Sequence, residues 1–340
     1  MASLTCALGP DSAGTLLTKF LRGASSRIDA ACYEVGPAYR WAMIDAARRG
    51  VAVRLLLDRH GGDGNAGTAV EVARAGGRCA VLRRGRAQAH WKLLIVDSAL
   101  AVGTGNLIWR DAPRDPHGRI PPRAPALRGT REWWVFISGA PSIVSVARTR
   151  LREAWGVAAS PPVRWGAADA DAPGEVGIPR PEVAPLDLSI QTCRLRLLTG
   201  GAAVAAGLHD LISAARRRVL ITAPYIDTRA ARARSLIHDL TAAHRRGATV
   251  RVLLGTPPAP RDRSALRHLG IATRVMDVSR STRGHAKGAI VDGVAVVSSA
   301  NWSGDGLGGN WEAALVIDHP GAASYFADAW ARDDEVSDPL

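Results

Sequence analysis

The feature that most constrains this chain is a sequence pattern that occurs once in each half. Each copy has a histidine, a lysine two residues later and an aspartate five residues after the lysine. These residues are His90, Lys92 and Asp97 in the first half and His285, Lys287 and Asp292 in the second. Both copies then reach a turn of small residues that ends in asparagine, sixteen residues after the histidine, at Asn106 and Asn301. Two copies with matched spacing indicate a duplicated domain, since a solenoid needs more and shorter units.

The duplication extends beyond this pattern. Residues 48–57 (RRGVAVRLLL) match residues 245–254 (RRGATVRVLL) at an offset of 197, close to the offset of 195 between the two histidines. A glutamate, Glu132 or Glu312, precedes an apolar run in each half. We therefore predict a first half over residues 1–157, a linker rich in Pro, Gly and Ala over 158–188, and a second half over 189–340.

Helix-like and strand-like segments alternate in both halves. We predict helices over 16–21, 39–49, 202–217 and 230–246, and strands over 51–57, 93–96, 219–222, 250–254, 289–291 and 294–298. This alternation favours an α/β fold with mostly parallel or mixed sheets. The predicted architecture is two pseudo-symmetric α/β sandwich halves.

Lysine is rare in this chain, which makes its positions informative. The sequence has 44 Lys and Arg residues but three lysines, and two of the three are Lys92 and Lys287. Arginine does not substitute for lysine where a compact point charge is needed. Both positions are therefore predicted to carry chemistry.

The duplicated pattern resembles the signature of the phospholipase D superfamily, His-x-Lys-x4-Asp followed by a Gly-Ser-x-Asn-like turn, usually present twice. Here five residues separate the aspartate from the turn, one fewer than the commonly written form, and Ser298 stands where the family often has Gly. The resemblance covers nearly the whole chain apart from the linker. It implies that the two halves pack together, with one active site at their seam.

Two histidines and two lysines in one site can cleave a phosphodiester without a metal or cofactor. One histidine attacks phosphorus and forms a phosphohistidine, and the other protonates the leaving oxygen. Lys92 and Lys287 would hold the phosphoryl oxygens, and Asn106 and Asn301 would donate further hydrogen bonds. Glu132 and Glu312 are candidates to orient the imidazoles, because a carboxylate on one ring nitrogen fixes the tautomer. The resemblance implies that Asp97 and Asp292 are structural.

Substrate contacts are predicted from charge and aromatic content. The formal net charge is +13, and the first half has an insertion of about 15 residues between Asn106 and Glu132. Long loops beside a site are often functional, so three arginines of this insertion are candidate contacts to a polyanion: Arg114, Arg119 and Arg123. Trp91 and Trp302 are candidates to stack bases or to hold an acyl chain.

Three functions compete on the sequence alone. The first, which we favour, is a metal-independent nuclease or nucleic-acid phosphodiesterase. The second is a phospholipase D or phosphatidyltransferase, with small phosphodiesters as a further substrate class. The third is a non-catalytic binding protein, and intact motifs in both halves argue against it. We expect a cytoplasmic monomer without a transmembrane segment, whose partners are DNA or RNA, or an anionic lipid surface in peripheral contact.

Overall fold

The computed structural model describes residues 2–61, 63–82, 87–113, 129–158, 183–268, 270–279 and 282–340. Within these ranges the first half has eight strands and four helices. In chain order they are β1 (Ser3–Gly9), α1 (Ala13–Arg22), β2 (Arg27–Cys32), α2 (Pro37–Arg48), β3 (Ala52–Leu57), α3 (Asp63–Arg74), β4 (Arg78–Val81), β5 (Lys92–Val96), β6 (Ala99–Gly103), β7 (Thr130–Ser138), α4 (Pro141–Val157) and β8 (Leu186–Ser189).

The second half repeats this order of elements with one additional two-residue strand before its motif lysine. They are β9 (Arg194–Thr199), α5 (Gly201–Ala214), β10 (Arg218–Ala223), α6 (Ala231–Arg245), β11 (Thr249–Leu254), α7 (Pro260–His268), β12 (Ala272–Val275), β13 (Arg283–Gly284), β14 (Gly288–Val291), β15 (Val294–Ser298), β16 (Ala313–Asp318), α8 (Pro320–Glu335) and β17 (Asp338–Pro339). The predicted helices and strands lie within or overlap these elements.

Each half builds one sheet, and seven strands follow the same order in both. The eighth strand differs, since β8 extends the first sheet beside β1 and β17 extends the second sheet beside β12. The first runs β4-β3-β2-β5-β6-β7-β1-β8 and the second runs β17-β12-β11-β10-β14-β15-β16-β9. β2, β3 and β4 are parallel, as are β10, β11 and β12, whereas the strands that follow in each order pair antiparallel. The mixed α/β fold is confirmed. Of the two predicted alternatives the sheets are mixed, because the tight connections β5-β6 and β14-β15 can join only antiparallel strands.

The buried residues form three cores. One lies between the first sheet and α1, α2 and α3, and another lies between the second sheet and α5, α6 and α7. The third contains residues of both sheets together with α4 and α8. The sheets therefore bury their inner faces against each other, which is how two sheets share one core of apolar side chains.

Backbone pairing across the seam joins the two halves. β13 pairs in parallel with the start of β7, and Ala89 forms an isolated parallel bridge with Trp311. The two pairings are equivalent. Gly284, the residue before His285, pairs with Arg131, the residue before Glu132, and Ala89, the residue before His90, pairs with Trp311, the residue before Glu312. Two amide hydrogen bonds continue this pairing, from His285 N to Arg131 O at 3.1 Å and from Trp311 N to Gln88 O at 2.8 Å.

A buried ion-pair cluster also crosses the seam. The guanidinium of Arg131 in β7 donates to both carboxylate oxygens of Asp333 in α8, with the closest contact at 2.9 Å, and to Asp11 at 2.9 Å. Arg131 is 8% exposed, and Asp333 is 5% exposed. Unpaired charges at this depth are costly, so the cluster fixes the position of α8 against the first half.

The predicted linker has a structured end. Residues 186–188 fall inside the predicted 158–188 boundary, yet they belong to β8, which pairs antiparallel with β1. An edge strand with free backbone groups can accept a short segment without a strong sequence signal. None of the described helices has both the length and the apolar character that crossing a bilayer requires.

Candidate active site

The two motif histidines lie at the seam, each just before a buried strand. His90 is followed two residues later by Lys92, the first residue of β5, and His285 is followed by Lys287, just before β14. In extended backbone alternate side chains point to the same side. The His-x-Lys spacing therefore places both functional groups on the same side of the extended segment.

Each imidazole is paired with a glutamate from the opposite half. His90 Nδ1 lies 3.0 Å from both carboxylate oxygens of Glu312, and His285 Nδ1 lies 2.5 Å from Glu132 Oε1. Both glutamates are 0% exposed. A carboxylate that accepts from Nδ1–H leaves Nε2 free to act as a base or nucleophile. Neither half alone therefore holds a complete histidine-glutamate pair.

Two hydroxyl groups hold the glutamates in place. Thr104 donates to Glu132 Oε2 and accepts the N–H of Trp133 at 3.0 Å. Ser299 donates to Glu312 Oε2 and accepts the N–H of Ala313 at 3.0 Å. The arrangement is the same in both halves. This role was not predicted from the sequence, although the two hydroxyl residues recur at an offset of 195 in the small-residue turns.

The two lysines are buried beside the histidines. Lys92 Nζ donates to His90 O at 2.8 Å, and Lys287 Nζ donates to His285 O at 2.6 Å. They are 0% and 1% exposed. Burial lowers the pKa of both ammonium groups, and it lowers the pKa of Lys287 to about 7. An anion bound between them would supply the counter-charge that water provides to an exposed lysine.

The imidazole of His90 is held in its neutral form. Burial lowers the pKa of His90 below its usual value, against the opposing effect of the Glu312 carboxylate, and the charge of Lys92 lowers it further. The ring of Tyr33 covers it, with ring centroids 5.2 Å apart. A neutral imidazole with a free Nε2 lone pair is the form that can attack phosphorus.

Asn106 and Asn301 occupy equivalent turns beside the two histidine-glutamate pairs. Asn106 is 7% exposed, and Asn301 is partly buried. The side-chain oxygen of each is buried and has no hydrogen-bond partner among the described residues. The unpartnered oxygen can accept a hydrogen bond from a ligand, and the Nδ2 group of the same amide is the part that can donate one.

Asp97 and Asp292 point away from the histidines. Asp97 accepts the backbone N–H groups of Ser25, Ser26 and Arg27 at 2.8–2.9 Å. Asp292 accepts those of Arg216, Arg217 and Arg218 at 2.8–3.0 Å. Both aspartates have a φ of 51°, in the left-handed region that Asp tolerates. They fix the starts of β2 and β10 against the hairpins β5-β6 and β14-β15.

The two tryptophans predicted as substrate contacts lie in the cores. Trp91 is 0% exposed and packs edge-to-face on Trp311, with ring centroids 5.4 Å apart, and Trp302 is 3% exposed in the second-half core. Trp91 stands between His90 and Lys92, so strand alternation turns it to the opposite side. In this structure neither ring offers a face to a base or an acyl chain.

The candidate arginines Arg114, Arg119 and Arg123 lie outside the described residues. The described residues on either side of them, Pro113 and Gly129, adjoin the site. Thr130 N donates to Arg110 O at 2.8 Å, and Thr130 Oγ1 donates to Glu132 Oε1 at 3.0 Å. The described residues next to the insertion therefore lie close to the Glu132 carboxylate.

Asp111 is a site residue that the sequence did not reveal. It is 1% exposed, and its Oδ2 lies 3.9 Å from His285 Nδ1. Its counterpart in the second half, five residues after Asn301, is Gly306. Because the duplication is recognised from matched residues, a carboxylate present in one copy only gives no signal.

Asp111, Glu132 and His285 form the one cluster in the described part of the chain that could hold a metal ion by distance, with ligand atoms within 4.8 Å of one another. The donor set does not fit a cation. Lys287 Nζ lies 3.0 Å from His285 Nδ1, the ring nitrogen that faces the two carboxylates. The positive charge that a metal would supply is already provided by this ammonium group.

Comparison with known proteins gives one family match and two similar folds. The profile of a family described as "Cardiolipin synthase, PLD-like domain" matches residues 208–333. The fold is similar to that of phosphatidylserine synthase from Haemophilus influenzae Rd KW20, with a TM-score of 0.66, 12% identity, and coverage of 98% of this chain and 87% of that one. It is also similar to polyphosphate kinase from Porphyromonas gingivalis, with a TM-score of 0.60, 16% identity and 96% of this chain covered.

The chain spans 50% of the length of that polyphosphate kinase. At these identities the two structures establish a shared fold. No curated protein matches the sequence.

Proposed function

Because this chain belongs to the phospholipase D superfamily, we propose that it is a metal-independent phosphodiesterase that works through a phosphohistidine and acts on nucleic acid. The observation that carries the proposal is the pair of imidazoles at the seam, each held by a buried glutamate of the other half. Two such groups provide a nucleophile and a proton donor on opposite sides of one phosphorus atom.

The reaction proceeds in two displacements. One histidine Nε2 forms a bond to phosphorus while the bond to the leaving oxygen breaks and that oxygen takes a proton from the other histidine. Water then attacks phosphorus and gives its proton to the second histidine, and the P–N bond breaks. Lys92 and Lys287 stabilise the charge on the non-bridging oxygens, with hydrogen bonds from Asn106 and Asn301.

Charge and surface composition support a nucleic-acid substrate. The formal net charge of +13 attracts a polyanion, and Arg114, Arg119 and Arg123 remain candidate phosphate contacts. Among the described residues, the exposed large apolar side chains are scattered over several elements: Trp41, Trp109, Val146, Val157, Tyr225 and Val278. An enzyme that works on a lipid surface usually presents a continuous apolar patch.

Phosphatidyl transfer is the second candidate. It is favoured by the description of the family profile that matches residues 208–333. In that reaction an alcohol takes the place of water in the second displacement. The same histidines and lysines would serve both reactions. Hydrolysis and phosphatidyl transfer therefore differ in the phosphodiester that binds and in whether water or an alcohol accepts the phosphoryl group.

A substrate panel tests the proposal. Purified protein is incubated in EDTA with single-stranded DNA, duplex DNA, RNA, phosphatidylcholine vesicles and bis-p-nitrophenyl phosphate. We expect cleavage of at least one nucleic acid and of the small diester, and a rate on nucleic acid that falls steeply with salt. Release of choline without nucleic-acid cleavage would favour the lipid reaction. Loss of all activity in EDTA would contradict the mechanism.

Removing a hydroxyl that holds a glutamate should slow the reaction without unfolding the protein. Thr104→Val and Ser299→Ala each delete one hydrogen bond to a buried carboxylate. Such a loss costs about 1–3 kcal/mol, which corresponds to a fall in kcat of roughly 5- to 150-fold. Thr241→Val, which deletes a hydroxyl bond to the α6 backbone, is the control. Equal kcat values in all three variants would show that the hydroxyls do not position the glutamates.

A further inference from the structure

A cavity of about 360 Å³ opens in the second half, where β11 and β12 end. Its lining includes Arg263 and Arg267 of α7 and Arg283 of β13, and we call it the arginine cavity. The reaction proposed above uses none of these three side chains. A cavity that collects guanidinium groups beside a phosphodiester site is a candidate to bind a second anion.

Two of the arginines come from one face of α7. Arg263 and Arg267 are four residues apart, so they are neighbours on the helix surface. The helix is fixed in place, because the Asp262 carboxylate accepts the hydroxyl of Thr228 at 2.6 Å and Leu266 is buried in the second-half core. The core therefore sets the orientation of the helix face that carries the two guanidiniums.

The third arginine connects the cavity to the catalytic groups. Arg283 lies two residues before His285, and two residues of chain span at most about 7 Å. Its backbone is held by the pairing of β13 with β7, in which Arg283 stands opposite Thr130. This span is comparable to one repeat of an extended nucleic-acid backbone. A phosphate next to the scissile one is therefore within reach of the Arg283 side chain.

The equivalent place in the first half holds an acid. Asp58 follows β3 as Gly255 follows β11, at the offset of 197 residues that relates the two strands. The buried Asp58 carboxylate accepts the N–H of Ala89, the residue before the first motif histidine, at 2.5 Å. A Cβ on Gly255 would lie 1.9 Å from Gly284 O, so no carboxylate fits there. Only the second half therefore offers an anion guanidinium groups at this position.

Two of the three guanidiniums are available to a ligand. Asp277 and Asp338 also line the cavity, and Arg267 donates to a backbone carbonyl at 3.2 Å. Within the described ranges, however, the guanidiniums of Arg263 and Arg283 have no ion pair or hydrogen bond to another residue. Both side chains are exposed. An arginine in that condition can bind two oxygens of one phosphate.

We propose that the arginine cavity binds the phosphate next to the scissile one in a nucleic-acid strand, through Arg263 and Arg283. This inference rests on the proposed function and makes it more specific, because the substrate must carry at least two phosphates in a row. The apolar part of the lining, with Val275, Met276 and Val278, suits the sugar between them. A phospholipid with one phosphate would leave the cavity without an anion.

Substrate length tests the proposal. The dinucleotide d(TpT) has one phosphodiester, whereas the trinucleotide d(TpTpT) has a second that can enter the cavity. The ratio of kcat/KM for the trinucleotide to kcat/KM for the dinucleotide should fall about tenfold in the double variant Arg263→Gln/Arg283→Gln, since charge-assisted hydrogen bonds to the second phosphate are lost.

A double variant with the same change in net charge is the control. Arg48 and Arg245 are the last residues of α2 and α6, and both are exposed near the starts of β3 and β11, at the opposite ends of these strands from Asp58 and Gly255. Arg48→Gln/Arg245→Gln should keep the wild-type ratio. Urea unfolding of both double variants checks that they are folded.

Salt dependence gives a second readout. Binding of fluorescent oligothymidylate is measured by anisotropy in the His90→Ala background, so that the strand is not cut. Loss of one phosphate contact should flatten the slope of log K against log salt by about 0.7 in the arginine-cavity variant. The control variant should keep the slope of its parent.

The outcomes separate this inference from the proposed function. An unchanged ratio in the arginine-cavity variant, or an equal fall in the control, overturns the phosphate site while nucleic-acid cleavage stands. Weaker binding to phosphatidylglycerol vesicles with unchanged binding to oligothymidylate would assign the cavity to a lipid and also overturn the inference. A wild-type protein that cleaves bis-p-nitrophenyl phosphate but no oligonucleotide overturns the proposed substrate, and this site with it.

Discussion

Alanine in place of His90 or His285 is expected to lower steady-state cleavage of a phosphodiester on the order of 10³-fold or more. The reason is that nucleophile and acid act as a unit, so the loss of either one removes most of the catalytic effect. Both side chains belong to one site, because each is hydrogen-bonded to a glutamate of the opposite half. The measurement is kcat/KM on DNA, RNA and bis-p-nitrophenyl phosphate, with folding checked by circular dichroism.

The control for these variants is His209→Ala. His209 is exposed on α5 and pairs with Asp239 at 2.8 Å, away from the seam. Its loss should leave the rate near that of wild type. A near-normal rate in either motif variant would exclude the two-histidine mechanism.

Replacing Arg131 by Met should be the most destabilising single change at the seam. It leaves the buried Asp333 and Asp11 carboxylates without the guanidinium that both contact at 2.9 Å. Breaking a buried ion pair by removing one partner costs about 3–5 kcal/mol. The free energy of unfolding in urea, followed by tryptophan fluorescence, measures the loss.

Arg150→Met is the matched control for Arg131. Arg150 pairs with Glu153 on α4 at 2.8 Å, but 49% of its side chain is exposed. Exposed pairs contribute little to stability, so this variant should unfold close to the wild-type midpoint. Equal losses in the two variants would mean that the seam does not depend on the Arg131 cluster.

Much of the fold could be predicted from the sequence, because each half follows local rules. Apolar runs such as 250–254 and 294–298 became β11 and β15, since short runs of branched residues favour strands. The strand directions were predicted less well. Hairpin β5-β6 is closed by Asp97 at positive φ, and this local geometry makes the sheet mixed.

The candidate site was predictable to the extent that it is duplicated. His90, Lys92 and Asn106 have matched partners at an offset of 195, so residue type and spacing alone indicate their chemistry. Trp91 shows the limit of this reasoning, because proximity in sequence placed it in the site while strand alternation placed it in the core.

The sequence by itself determined that this chain is a duplication, which reactive groups it carries and that they repeat. Those properties depend on residue type and spacing, which are local. Only the tertiary structure decided that His90 meets Glu312 and His285 meets Glu132, because those partners lie 222 and 153 residues apart and are joined by the backbone pairing across the seam. Only the structure distinguished the two histidines as well, since the Asp111 carboxylate reaches His285 in one turn while the packing around Gly306 leaves no room for a side chain in the other.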